Sequence, residues 1–177
     1  MQDPDLRGRA ALVTGANRGI GRATALALAR CGARVIVTGR NQTELDEVAG
    51  ELTASGADTQ ALVADVSDRS QVERMVDRAG AVDVLINNAG VVEPISPTVS
   101  ADPGDWLLNL MVNLYGPFLL CRCTLPGMLE RNWGRIINVS SGAATGRVAS
   151  WGAYSASKGG LEALTHVLAR ETEGADI

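Results

Sequence analysis

The sequence predicts a doubly wound α/β fold, a parallel sheet held in a three-layer αβα sandwich. Three observations lead to it. Short β-branched apolar runs alternate with amphipathic segments along the whole chain, the signature of βαβ units. A glycine-rich turn sits where the first run hands over to its helix. Runs such as Val82-Asp83-Val84-Leu85-Ile86 barely alternate in polarity, as expected of strands covered by helices on both faces.

The elements follow in order. Ala10 to Thr14 reads as the first strand and Gly19 to Cys31 as its helix. Arg34 to Thr38 is the second strand, followed by a helix over Gln42 to Ser55. The third strand covers Gln60 to Ala64, and a helix covers Arg69 to Ala79. The fourth strand spans Val82 to Asn87, and one long helical region runs from Asp105 to Arg131. Arg135 to Ser140 is the fifth strand, and Trp151 to Arg170 is the last helix. There is no internal repeat, low-complexity tract or linker, so residues 1–177 read as a single domain.

Composition excludes several function classes. The 177 residues are 46% hydrophobic and 20% charged, an ordinary balance for a globular domain. A net charge of −4, with the basic residues scattered, leaves no footprint for nucleic acid or an anionic membrane. No run of about 18 apolar residues occurs, and the polar start Met1-Gln2-Asp3-Pro4-Asp5 is no signal peptide. The three cysteines make no disulfide framework and have no partners at zinc-binding spacing. Reduced, buried, structural thiols in a cytoplasmic protein are expected, and no metal site.

The chemistry concentrates at the carboxyl ends of the strands, where ligands bind in this architecture. In Thr14-Gly15-Ala16-Asn17-Arg18-Gly19-Ile20-Gly21, Gly15 permits the tight turn and Gly19 lets backbone approach a pyrophosphate. Gly21 lets the helix pack close to the strand. After the second strand the chain reads Val37-Thr38-Gly39-Arg40, with no acid to hold a ribose 2′-hydroxyl. Arg40 and Arg18 can instead contact a 2′-phosphate, which favours NADP(H) over NAD(H). Tyr154 and Lys158 stand four residues apart, on one face of the last helix.

The spacing TGxxxGxG resembles the fingerprint of the short-chain dehydrogenase/reductase family, whose fold is Rossmann-like. Five further motifs match in the same order: Asp65 after the third strand, Asn87-Asn88-Ala89-Gly90 ending the fourth, and Asn113 in the long helix. Ser140-Ser141 then ends the fifth strand, and Tyr154-Ser155-Ala156-Ser157-Lys158 opens the last helix. The stretch Gly134 to Ser141 is similar to the 3-oxoacyl-[acyl-carrier-protein] reductase-like branch. The resemblance implies that Asp65 and Val66 border the adenine, and that Asn88, Ala89 and Gly90 line the adenosine ribose. It implies that Tyr154 protonates a substrate oxygen, that Lys158 holds the nicotinamide ribose and favours the phenolate, and that Ser141 hydrogen-bonds the substrate carbonyl. Asn113, through a kink in its helix and a water, would link the lysine to solvent. Ser140 is the rival of Ser141, and the family offset of thirteen residues before Tyr154 favours Ser141. His166 reads as a surface or interface residue, and Trp106, Trp133 and Trp151 as packing residues, with Trp151 near enough to Tyr154 to line a substrate pocket.

The implied activity is hydride transfer between NADP(H) and a small-molecule carbonyl or secondary alcohol. An NAD-linked alcohol dehydrogenase and a non-catalytic dinucleotide sensor or scaffold stay open as alternatives. Family members run to roughly 250 residues in one domain. The chain stops near Thr172 to Ile177, where a sixth strand should begin, so a truncated form lacking the last strands and the substrate loop is expected. The fifth strand is then an exposed edge. A homodimer or homotetramer is expected through the long helices, which carry Leu107, Leu110, Leu161, Leu164 and Leu168.

Overall fold

A computed structural model describes residues 4–177; the start of the polar N-terminal segment, residues 1–3, lies outside the described residues. Five parallel strands form one sheet in the order β3-β2-β1-β4-β5. These are β1 (Ala10–Thr14), β2 (Arg34–Gly39), β3 (Thr59–Val63), β4 (Val84–Asn87) and β5 (Arg135–Asn138). The helices are α1 (Gly19–Arg30), α2 (Gln42–Ala54), α3 (Arg69–Ala79), α4 (Pro103–Leu110), α5 (Gly116–Glu130) and α6 (Gly152–Glu171). The order reverses at β1, so the crevice between the carboxyl ends of β1 and β4 is where this architecture opens for a ligand.

The apolar runs do alternate, but between two buried faces rather than between core and water. Leu12, Ile36, Leu62 and Leu85 pack on one side with Met75, Leu119 and Met128. Their neighbours Ala11, Val13, Val35 and Val37 pack on the other with Ala25, Leu45 and Leu52. Period-two side chains therefore serve two cores at once. Short polar residues start three of the helices: Asn41 accepts from the Glu44 amide and Asp68 from that of Gln71. Asp102 does the same for the Gly104 and Asp105 amides, with Pro103 following it.

Most other boundaries shift by a residue or two, β3 to Thr59–Val63 and the last helix to Gly152–Glu171 among them, and three departures have a visible cause. The long helix is not continuous, because a π-helical turn, Met111–Tyr115, separates α4 from α5. It lies at the kink the resemblance implies. β4 starts at Val84 rather than Val82: the Asp83 amide still donates to the Ala10 carbonyl, but its side chain turns back to the Ala10 amide. β5 ends at Asn138 rather than Ser140, because the Val139 carbonyl accepts from Lys158 Nζ at 2.7 Å instead of continuing the ladder. Among the described residues β5 is one of the two edge strands, with β3 at the other side, and Ile137 on it is 50% exposed. Beyond it, Asp176 forms a lone parallel bridge with Trp133.

Candidate active site

The glycine loop is built against the end of β4. Gly15 has φ +61°, and a Cβ there would stand 2.9 Å from Ala89 Cα. A Cβ at Gly21 would collide with the Gly15 carbonyl, so α1 can only start this close to β1 without a side chain. Thr14 Oγ1 accepts from the Asn88 and Ala89 amides, both at 3.0 Å, and donates to the Ile86 carbonyl. Asn88 Nδ2 in turn donates to the Thr14 and Gly15 carbonyls at 2.9 and 3.2 Å. Asn88 thus carries the loop as well as bordering the cleft.

That cleft holds about 780 Å³. Gly15, Asn17, Arg18, Arg40, Asp65, Val66, Asn88, Ala89 and Gly90 all line it. Gly19, Ile20 and Gly21 do not line it; they form the first turn of α1 beside it, and Ile20 is 66% exposed. Arg18 and Arg40 are exposed. Asp65 Oδ1 accepts from the Ser67 amide and hydroxyl, at 2.9 and 2.7 Å. The sequence reading missed Glu44, whose carboxylate lines the same cleft and accepts from Asn17 Nδ2.

Past the far wall of the cleft lie Asn113 and Lys158, with Tyr154 beside the lysine. Gly90 is the junction: a Cβ on it would stand 3.2 Å from Asn113 Oδ1 and 3.8 Å from Lys158 Nζ. Lys158, the chain's only lysine, is 4% exposed, and burial lowers its pKa from the ordinary value. Its Nζ lies 5.8 Å from the centre of the Tyr154 ring. Trp151 packs edge-on to Tyr154 with ring centres 5.6 Å apart.

The two candidate serines have different partners. Ser140 Oγ donates to Glu162 at 2.6 Å. Ser141 instead begins a 3-10 turn, Gly142–Thr145, that packs on α6, where its hydroxyl accepts from the Ala143 amide at 3.2 Å. Its own proton is left for another acceptor.

Asn113 sits in the π-turn and is fully buried. Its Oδ1 accepts from the Val91 amide at 2.9 Å, and its Nδ2 donates to the Val91 carbonyl at 2.8 Å. Two of its other partners escaped the sequence reading. Asn113 Nδ2 also lies 2.9 Å from Asn109 Oδ1 and 3.1 Å from Ser157 Oγ. The available signal was a second asparagine four residues before Asn113, in the otherwise apolar Leu107-Leu108-Asn109-Leu110-Met111-Val112.

Two expectations are corrected. Only Cys121 is buried, and burial pushes its thiol up to about 11; Cys31 and Cys123 are half-buried. Of the leucines expected at an interface, Leu161 is 1% exposed and belongs to the core, and Leu168 packs against a core cluster; Leu107 is exposed. His166 is exposed on α6, and Trp106, Trp133 and Trp151 are half-buried. Among the described residues no helix is long and apolar enough to cross a membrane.

The geometry agrees with the relationships of the chain. Residues 9–177 match the family model of the short chain dehydrogenases. A short-chain type dehydrogenase/reductase of Picea abies is 39% identical over 184 residues, covering 97% of this chain and 68% of the relative. The 3-oxoacyl-[acyl-carrier-protein] reductase FabG of Pseudomonas aeruginosa is 38% identical over 170 residues, covering 94% and 68%. The crystal structure of a metagenomic short-chain oxidoreductase in complex with NADP superposes with a TM-score of 0.90 at 39% identity, covering 94% of this chain and 77% of that one. With a parallel sheet, a glycine loop at its reversal point and this degree of identity over almost its full length, the chain belongs to the short-chain dehydrogenase/reductase family of oxidoreductases.

Proposed function

We propose that residues 1–177 carry the dinucleotide-binding and catalytic domain of an enzyme that moves hydride between NADP(H) and a carbonyl or secondary alcohol. The observation that carries this reading is the convergence of Lys158, Tyr154 and Asn113 beyond Gly90, at the end of a cleft built on the glycine loop. The residues present fit a dinucleotide. The cleft has the volume for an extended ligand, and Gly15, Gly21 and Gly90 allow the close packing of loop, helix and strand ends that shapes it. One oxygen of Asp65 is held by Ser67, and the other is available to an amino group. A bound nicotinamide dinucleotide supplies or takes the hydride.

The chain's own groups handle the proton. In the reductive direction the Tyr154 hydroxyl gives its proton to the carbonyl oxygen, leaving a phenolate, and Ser141 donates a hydrogen bond to that oxygen. The Lys158 ammonium, with three donors and the Val139 carbonyl holding one, has two left for ribose hydroxyls and stabilises the phenolate by its charge. Burial concentrates that effect by lowering the local dielectric.

Support for NADP(H) comes from Arg18 and Arg40 in the same cleft, with no acid ending β2. Glu44, the cleft's other carboxylate besides Asp65, is tied to Asn17. Fluorescence titration should show tighter binding of NADPH than of NADH, and Arg40→Asp should cost NADPH about ten- to a hundredfold in affinity while sparing NADH. Equal affinities in the wild type, unchanged in the variant, reject the preference. Self-association as a dimer or tetramer is part of the same proposal, supported by exposed Leu107, Leu108 and Val167 on α4 and α6. Light scattering at micromolar concentration should give at least a dimer.

A further inference from the structure

Asn109 is 0% exposed, and its carboxamide uses its full hydrogen-bonding capacity. Nδ2 donates to the Glu93 carbonyl at 2.7 Å and shares its protons with the Val91 and Val92 carbonyls at 3.2 Å. Oδ1 accepts from Asn113 Nδ2 at 2.9 Å and lies 2.8 Å from Ser157 Oγ. Ser157 Oγ is also 2.9 Å from the Tyr154 carbonyl and shares its one proton between the two acceptors. One side chain on α4 therefore touches three separate parts of the site: the strand exit over Val91 to Glu93, the π-turn with Asn113, and, at Ser157, the first two turns of α6 that carry Tyr154 and Lys158.

No other residue type reproduces this set. Aspartate has no protons for three carbonyls, leucine offers neither donor nor acceptor, and glutamine is one methylene too long for a fully packed site. Neutral amides also suit the place, because an ionised group here would need a partner inside the core. We propose that Asn109 is a positioning residue, which fixes Asn113 directly and the Tyr154–Lys158 turn through Ser157. The proposal rests on the reading of Tyr154 and Lys158 given above. It assigns Asn109 no contact with substrate or cofactor.

The single lysine makes the test specific. A chain labelled with ¹³C-lysine has one Cε cross-peak, that of Lys158, so its environment can be read without knowing the substrate. In Asn109→Leu that peak should shift or broaden, and Ser157→Ala, which removes one hydroxyl, should move it less in the same sense. Turnover with NADPH and the best substrate of a small ketone panel should fall about tenfold or more, with the cofactor dissociation constant little changed. The double variant should be no slower than Asn109→Leu alone, since the two side chains act through one path.

Asp83→Asn, at the far end of the sheet, supplies a destabilised control whose lysine peak and turnover match the wild type. An unmoved peak in both Asn109→Leu and Ser157→Ala, with turnover per folded molecule equal to wild type, overturns the proposal. If Asn109→Leu does not fold, Ser157→Ala decides alone by the same criterion. A Tyr154→Phe enzyme that keeps its activity removes the reading beneath the proposal instead, and so the two failures are told apart.

Discussion

The two ends of the sheet use polar groups to opposite effect. At the amino end, Asp83 is 6% exposed and both its oxygens are engaged within the protein. Oδ2 accepts from the Ala10 amide at 2.9 Å, while Oδ1 faces Arg131 Nε at 3.3 Å and Arg9 Nη1 at 3.5 Å. Arg9 and Arg135 also lie against Trp133, 3.8 and 4.9 Å from its ring centre. At the carboxyl end the inner network is closed too, but with neutral groups, Asn109, Asn113 and Ser157. The groups facing outward from it keep unused capacity. Lys158 has one hydrogen-bond partner for three protons among the described residues, and Asp65 has one oxygen bound by Ser67. Saturated charge closes a surface, whereas unsaturated charge on a saturated neutral frame is what a ligand site requires.

The largest expected effect breaks the open end alone. Tyr154→Phe should lower turnover by about 10²- to 10⁴-fold, the usual worth of general acid catalysis. Cofactor affinity should stay near that of the wild type, because the ring packing on Trp151 survives and the phenol holds none of the glycine-loop contacts. Steady-state rates beside a cofactor titration check both halves. Retained turnover would leave the cleft as a binding site without its acid.

A middle-sized effect should appear only at the closed end. Asp83→Asn leaves Arg9 and Arg131 without their carboxylate. Both arginines are partly exposed, so water recovers much of their solvation, and about 1–3 kcal/mol of stability should be lost. That corresponds to about 2–4 °C in melting temperature per kcal/mol for a domain of this size. Thermal unfolding and a cofactor titration together test the separation of the two ends; a large drop in NADPH affinity would show that they are coupled.

How far each end was legible in the sequence follows from the same contrast. β1 and α3 have the bounds read from the chain alone, since a glycine turn ends one and the Asp68 cap starts the other. Local chemistry fixes such limits. The glycine loop, Asn88, Tyr154 and Lys158 were legible because family spacing marks them. Asn109 and Ser157 were not, for their hydrogen bond spans 48 residues of chain and nothing local requires it. Leu161 was misplaced for a related reason. A helical apolar stripe gives the same period whether it faces a core or a second chain. The ends of β4 and β5 were set by Asp83 and Lys158, side chains that bond to backbone and stop or redirect the ladder.

The smallest expected effect concerns the ammonium itself. Burial lowers the pKa of Lys158 in the folded chain, whereas in the unfolded chain it returns to about the ordinary 10.5. A base whose folded pKa lies below its unfolded one binds its proton more weakly when folded. Its charge therefore costs stability in full below the folded pKa, and that cost is relieved as pH rises toward 10.5. Lys158→Met removes the charge at every pH, so its melting temperature relative to wild type should be highest near neutrality and decline as the solution is made alkaline. The lost bond to the Val139 carbonyl lowers the variant's stability by nearly the same amount throughout, because a neutral amine donates there as well. The slope with pH, rather than the absolute difference, is thus the diagnostic. Calorimetry of both chains from pH 7 to 10 measures it. A relative melting temperature that rises with pH would mean that the ammonium is stabilised by the fold, not penalised, and the open end would then hold a partner for Lys158 beyond Val139.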